Sequence, residues 1–150
     1  MRIISAKKGD VSEISFCRQE SIDNVNSNCY SLEAIKELID DQTPEKIFEE
    51  LKACEIYCLK KRGKIIGSVS LSKNKVDGLY VCPGHVGKGY GRKLLKFAEK
   101  KIMKKGYWES YLYSTLNSEN FYLSQGYHSG EVLVGLSEVP LSFVEMAKRL

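Results

Sequence analysis

Hydrophobic positions along this chain change period more than once. After "RIISA", which reads as a short strand, Val11, Ile14 and then Cys17 or Arg18 recur at helical spacing. Asp10 stands where it can cap that helix. The polar stretch "SIDNVNSNCY" at 21–30 breaks the pattern. Ser31 then caps a predicted helix with Leu32, Ile35, Leu38 and Ile39 in one stripe. Thr43-Pro44 opens a third helix, ending near Leu51, with proline at its first position.

The period then shortens to that of a strand. "CEIYCL" and "KIIGSVSL" flank "KKRG", a hairpin signal with Gly63 in the turn. "KVDGLYVC" follows a turn at Lys73-Asn74, so three strands form an antiparallel meander. Gly78 inside the third strand marks a bulge or a close backbone approach.

A second helical pattern begins after Gly87, Gly89 and Gly91. Leu94, Leu95, Ala98 and Ile102 share its apolar face, lysines fill the other, and Gly106 stops it. "YWESYLYST" reads as a strand. "NSENFYLSQGY" reads as a compact helix with Asn117 or Ser118 as cap and Gly126 as terminator. Two closing strands are predicted at about 127–136 and 141–150. This order predicts one α+β domain over 1–150, with the strands before and after the long helix parallel through a crossover.

Composition narrows the classes without choosing one. The 150 residues are 43% hydrophobic and 28% charged, as in an ordinary globular domain. The opening "MRIISAKKGD" has no apolar stretch of signal-peptide length, and no run approaches the ~18 apolar residues of a membrane span. The expectation is a cytoplasmic protein without a membrane partner. A net charge of +4 suits an anionic ligand. The lysine-rich helix face lacks interleaved aromatics, which favours a solvated surface over a nucleic-acid partner. Five cysteines without a secretion signal read as unpaired thiols, and neither histidine completes a metal site with them.

The glycine stretch carries the chemistry. A strand turning into a helix exposes amides that have no partner inside the helix, and the dipole there favours an anion. Glycines let a phosphate approach the main chain. Walker A spacing fails because no Lys-Ser or Lys-Thr follows. The dinucleotide fingerprint fails because Arg92 stands where its third glycine belongs.

"LYVCPGHVGKGYGRKLL" resembles motif A of the GNAT superfamily of N-acetyltransferases, through Leu79, Val81, Pro83, Gly89, Gly91, Leu94 and Leu95. Val86 replaces that motif's Gln or Arg. "STLNSENFYLSQGY" is similar to motif B through Asn117, Phe121, Tyr122, Gly126 and Tyr127, and "FVEMAKRL" looks like the last strand of that fold. The resemblance implies a mixed, mostly antiparallel sheet of about seven strands flanked by helices, splayed between its central parallel strands. It implies acetyl-CoA as cosubstrate, with no metal.

By this resemblance, backbone amides of Val86, Gly87, Lys88, Gly89, Tyr90, Gly91 and Arg92 hold the pyrophosphate. The backbone of Leu79, Tyr80 and Val81 pairs with the pantetheine arm, and the amide of Val81 or Leu79 polarises the thioester. Asn117 hydrogen-bonds the arm. Tyr122 is the candidate general acid and Asp77 the candidate base, with Glu109 a weaker one. His85 belongs near the phosphates. Asn28 and Tyr30 form one wall of the acceptor site. The implied reaction is direct acetyl transfer to a primary amine of a small molecule or peptide, by a monomer or homodimer. Cys82, beside the motif, raises a covalent route. A non-catalytic CoA-binding regulatory module is the alternative, and a nucleic-acid-binding domain the third reading.

Overall fold

The computed structural model describes residues 1–25, 29–135 and 141–150. Seven strands form one sheet: β1 (Arg2–Ser5), β2 (Glu55–Lys61), β3 (Lys64–Ser72), β4 (Lys75–Val81), β5 (Glu109–Thr115), β6 (His128–Val134) and β7 (Ser142–Arg149). Their spatial order is β1-β2-β3-β4-β5-β7-β6. All neighbours are antiparallel except β4 and β5. The helices are α1 (Val11–Val25), α2 (Leu32–Asp40), α3 (Pro44–Ala53), α4 (Tyr90–Lys104) and α5 (Glu119–Ser124). Helix α4 is the crossover between the two parallel strands.

The meander follows from its turns. Arg62 and Gly63 both take positive φ, at 52° and 77°, which matches the twist of a two-residue hairpin. Strand β3 is buried on both faces. Gly67 faces α4, where an added Cβ would lie 2.9 Å from Leu94 Cδ1 and from Tyr80 O, so only glycine lets α4 seat there. Leu94, Leu95, Ala98 and Ile102 pack on Val69, Leu71, Val76 and Leu112 to form the main core. Each such leucine contributes about 1.5–3 kcal/mol by leaving water.

On the opposite face α1 and α3 bury Val11, Ile14, Ile47, Ile56, Cys58 and Ile65. Arg18 continues the stripe of Val11 and Ile14 and is only 1% exposed. Its guanidinium donates to Ser68 Oγ (3.2 Å), Ser70 Oγ (2.7 Å), Gln42 Oε1 (3.0 Å) and Glu50 Oε2 (2.9 Å). It also lies 5.0 Å from the Tyr80 ring centroid. A buried charge persists only with such partners. This one fixes α1 and α3 to β3 and holds Tyr80 in place.

Several expectations change. Helix α1 runs through 21–25, because Ile22 is buried there while Asp23 and Asn24 face solvent. Asp10 does not cap α1; it closes a 3-10 turn over Lys8–Asp10 by accepting the Lys7 N–H at 2.9 Å. Leu32 is 83% exposed and leaves the α2 stripe. Cys54 ends α3 rather than starting β2. Cys17 and Cys82, expected as unpaired thiols, form a disulfide. Helix packing on β4 brings together residues 65 apart in sequence, which spacing alone does not reveal. No helix among the described residues is long and apolar enough to cross a membrane.

Candidate active site

The site begins at a bulge. Ser70 pairs with Gly78 and Leu71 with Val76, so Asp77 is the extra residue of β4. A bulge bends its strand and strengthens the local twist. Strands β4 and β5 pair only through Lys75–Tyr111 and Val76–Leu112. Beyond Val76 they separate, and residues 113–115 of β5 keep only β7 as neighbour.

Strand periodicity decides which amides face the gap. The Cys82 N–H donates to Ile66 O at 2.8 Å, toward β3. Alternate residues of a strand turn their amides to opposite sides. Tyr80 therefore shares the side of Cys82, while Leu79 and Val81 present their main-chain groups to the gap.

After Val81 the chain turns through Pro83 to Gly89. Gly84, Gly87 and Gly89 take positive φ, at 87°, 78° and 84°. Gly89 is the N-cap of α4 and supplies no side-chain cap. The first hydrogen bond into the helix runs from Lys93 N–H to Gly89 O at 3.1 Å. The amides of Tyr90, Gly91 and Arg92 therefore lack partners in the helix and carry the positive end of its dipole. Val86 has a side chain 59% exposed and brings no hydrogen-bonding group.

Two cavities meet at this gap. The larger, of about 520 Å³, is lined by Leu79, Val81, His85, Val86, Gly87, Gly89, Tyr90, Gly91, Arg92, Asn117 and Tyr122, among others. The smaller, of about 150 Å³, includes Asp77, Gly78, Tyr80, Tyr113 and Phe143. Leu79, Asn117 and Tyr122 line both. Lys88, expected in the cradle, lines neither.

Two buried polar atoms point to a ligand. Asn117 Oδ1 and His85 Nδ1 have no hydrogen-bond partner among the described residues. Leaving a buried acceptor unpaired costs about 1–3 kcal/mol. Ser118, not Asn117, is the N-cap residue of α5, but its hydroxyl makes no capping bond and accepts instead from Thr115 Oγ1 at 3.1 Å. Gly91 faces Phe121 and Val81, where a Cβ would make ordinary contact at 3.4 Å from Phe121 Cζ. Unpaired amides and orphaned polar atoms together fit a diphosphate with an amide-bearing arm.

Tyr122 is 7% exposed, with its ring 5.0 Å from Phe121 and 5.7 Å from Tyr127. Burial pushes its hydroxyl well above the ordinary tyrosine range, and nearby Tyr80 adds to this. It therefore stays protonated at neutral pH. Asp77 faces the smaller cavity, where its carboxylate pairs with Lys75 Nζ at 3.0 Å and accepts the Cys54 thiol at 3.4 Å. Burial and the Asp77 charge push that thiol up to about 11.

Tyr30 lies apart from both cavities. Its hydroxyl donates to Ser142 O at 2.6 Å and accepts the Leu116 N–H at 3.0 Å, tying the segment before α2 to β7 and to the end of β5. Asn28 lies outside the described residues. Cys82, one residue past Val81, is bonded to Cys17, so no thiol stands there for a covalent route. Ser21, on the part of α1 that its polarity concealed, lines both cavities. An arginine on an apolar helical stripe was the available signal for the Arg18 network.

A splayed central strand pair with unpaired helix amides at its mouth forms one continuous open site. A family model described as acetyltransferase (GNAT) family matches residues 20–127, and the chain belongs to that family. By sequence, no curated protein matches. The fold is similar to a GCN5-related N-acetyltransferase from Rhodopseudomonas palustris, at TM-score 0.94 and 21% identity over 99% of this chain and 95% of that one. PaiA N-acetyltransferase from Thermoplasma acidophilum, solved with coenzyme A, is 25% identical at TM-score 0.80, with both chains fully covered. YncA, a putative acetyltransferase from Salmonella typhimurium solved with acetyl-CoA, is 19% identical at TM-score 0.69, over 100% of this chain and 94% of that one.

Proposed function

We propose that this acetyltransferase moves an acetyl group from acetyl-CoA directly to a primary amine of a small molecule or peptide. The observation that carries this reading is the meeting of the two cavities at Leu79, Asn117 and Tyr122. A donor entering from one side and an acceptor from the other would touch at that point.

Acetyl-CoA supplies an activated thioester. Amides from Val86 to Arg92 hold its diphosphate, with Gly89 and Gly91 leaving room. The main chain of Leu79 and Val81 takes the pantetheine arm as an added strand, and Asn117 Oδ1 accepts one of its N–H groups. One of the two gap-facing amides then stabilises the oxyanion, a contribution of roughly 2.7–4 kcal/mol per donor. Tyr122, buried and protonated, gives its proton to the departing thiolate. Asp77 takes the amine's proton through water, with Lys75 holding the carboxylate in place.

The test is thiol release from acetyl-CoA across an amine panel, run beside calorimetry of acetyl-CoA binding. Binding with amine-dependent release supports the reading. Binding without release on any amine favours a CoA-binding module instead. Asp77→Asn is expected to lower kcat/KM by about 10²-fold, within general-base magnitudes; wild-type rates would remove Asp77 from the chemistry.

A further inference from the structure

The smaller cavity does not end at the gap. Asp77, Tyr113 and Phe143 line it and also line a groove of about 470 Å³ completed by Lys75, Leu133, Val134 and Gly135. Leu133 and Phe143 are cross-strand partners on β6 and β7. Tyr113 is 43% exposed and Leu133 37%, although both are large and apolar. The groove is thus an aromatic and aliphatic face continuous with the space where the acceptor must react.

Among the described residues, charge in this space cancels. Among the described residues, Lys75 and Asp77 are the only charged groups lining either cavity, and they pair at 3.0 Å. Lys75 Nζ also sits 4.8 Å from the Tyr113 ring centroid. Glu145, opposite Tyr113 across β5 and β7, lines neither. A polycation would meet one carboxylate that is already neutralised and an ammonium that repels it. A single amine on a short stem fits the small cavity, and an apolar flank on that stem covers the groove.

Resting on the acetyl-transfer reading, we infer that the acceptor is a small primary monoamine carrying an aromatic or branched aliphatic flank, which lies on Tyr113, Leu133 and Phe143. The Lys75–Asp77 pairing disfavours polyamines and aminoglycosides as acceptors. The flank gains from burial against these side chains, and the ammonium loses its proton beside Asp77.

Thiol release is measured with phenethylamine, isoamylamine, methylamine, spermidine and an aminoglycoside, at a pH where each amine's neutral fraction is known. We expect kcat/KM per neutral amine to be at least ~10-fold higher for phenethylamine or isoamylamine than for spermidine, the scale of apolar-pocket discrimination. Tyr113→Ser and Leu133→Ser, both at partly exposed positions, should lower the phenethylamine value about 10-fold more than the methylamine value. Preference for spermidine or the aminoglycoside overturns the inference while leaving acetyl transfer standing. Equal losses on all amines also overturn it.

A second readout separates the two readings. Calorimetry follows phenethylamine binding to the protein saturated with coenzyme A. Saturable binding that weakens in Tyr113→Ser supports the groove even if no amine is acetylated, an outcome that rejects transfer. No saturable binding, together with no release from phenethylamine, overturns the groove.

Discussion

Val76 and Leu112 form the last rung between β4 and β5. One residue later Asp77 bulges out of the ladder with β3. The gap that follows is not a packing defect. It leaves main-chain groups of Leu79 and Val81 facing open space, next to a helix whose first amides are also unpaired. Pairing there would erase the site.

Tyr122→Phe should lower kcat roughly 10²-fold, in keeping with loss of a general acid. The ring remains, so the Kd for acetyl-CoA should stay within about twofold. Stopped-flow turnover with calorimetry checks both. Unchanged kcat would return Tyr122 to a packing role against Phe121 and Tyr127.

Gly89→Glu should abolish acetyl-CoA binding. Gly89 takes a φ of 84°, which a side chain strains, and the new carboxylate would sit among amides aimed at an anion. Calorimetry decides it, with circular dichroism showing that the fold persists. Retained micromolar affinity would count against the cradle.

Cys17→Ser should destabilise the oxidised protein by roughly 4 kcal/mol, the loop-closure entropy of a crosslink spanning 65 residues. Denaturant unfolding of wild type under oxidising and reducing conditions provides the comparison. Identical midpoints would show that the bond does not form in solution.

Alkaline stability offers a further check. Burial raises the hydroxyls of Tyr80, Tyr122 and Tyr127 above their ordinary range, and raises Tyr57 to about 12 with help from Glu55. A raised folded pKa gives stability that is full below the unfolded value of about 10 and lost as pH rises through the folded one. The Tm should therefore hold to about pH 9.5 and fall steeply above pH 10. A flat Tm to pH 11.5 would contradict this burial.

Much of this was legible in the sequence because it rests on local rules. Period changes gave the meander and the long helix, and Gly78 announced the bulge. Gly87 and Gly89, singled out in the sequence, take positive φ in the turn before α4, while Gly91 lies inside that helix. What stayed hidden depends on which elements touch. Arg18 falls on the apolar stripe of α1, but its partners Ser68, Ser70 and Glu50 come from other elements, which no local pattern names. Cys17 met Cys82 only through helix packing. Tyr30, expected in the acceptor wall, is tied to Ser142 and Leu116, contacts that only the fold creates. The groove of Tyr113, Leu133 and Phe143 draws on three strands, and no short window contains it.

The most direct test is a crystal structure with coenzyme A soaked in. The account predicts the diphosphate on the main-chain amides between Val86 and Arg92, and the arm beside Leu79 and Val81. Coenzyme A bound elsewhere, or those amides turned inward to partners within the chain, would contradict it.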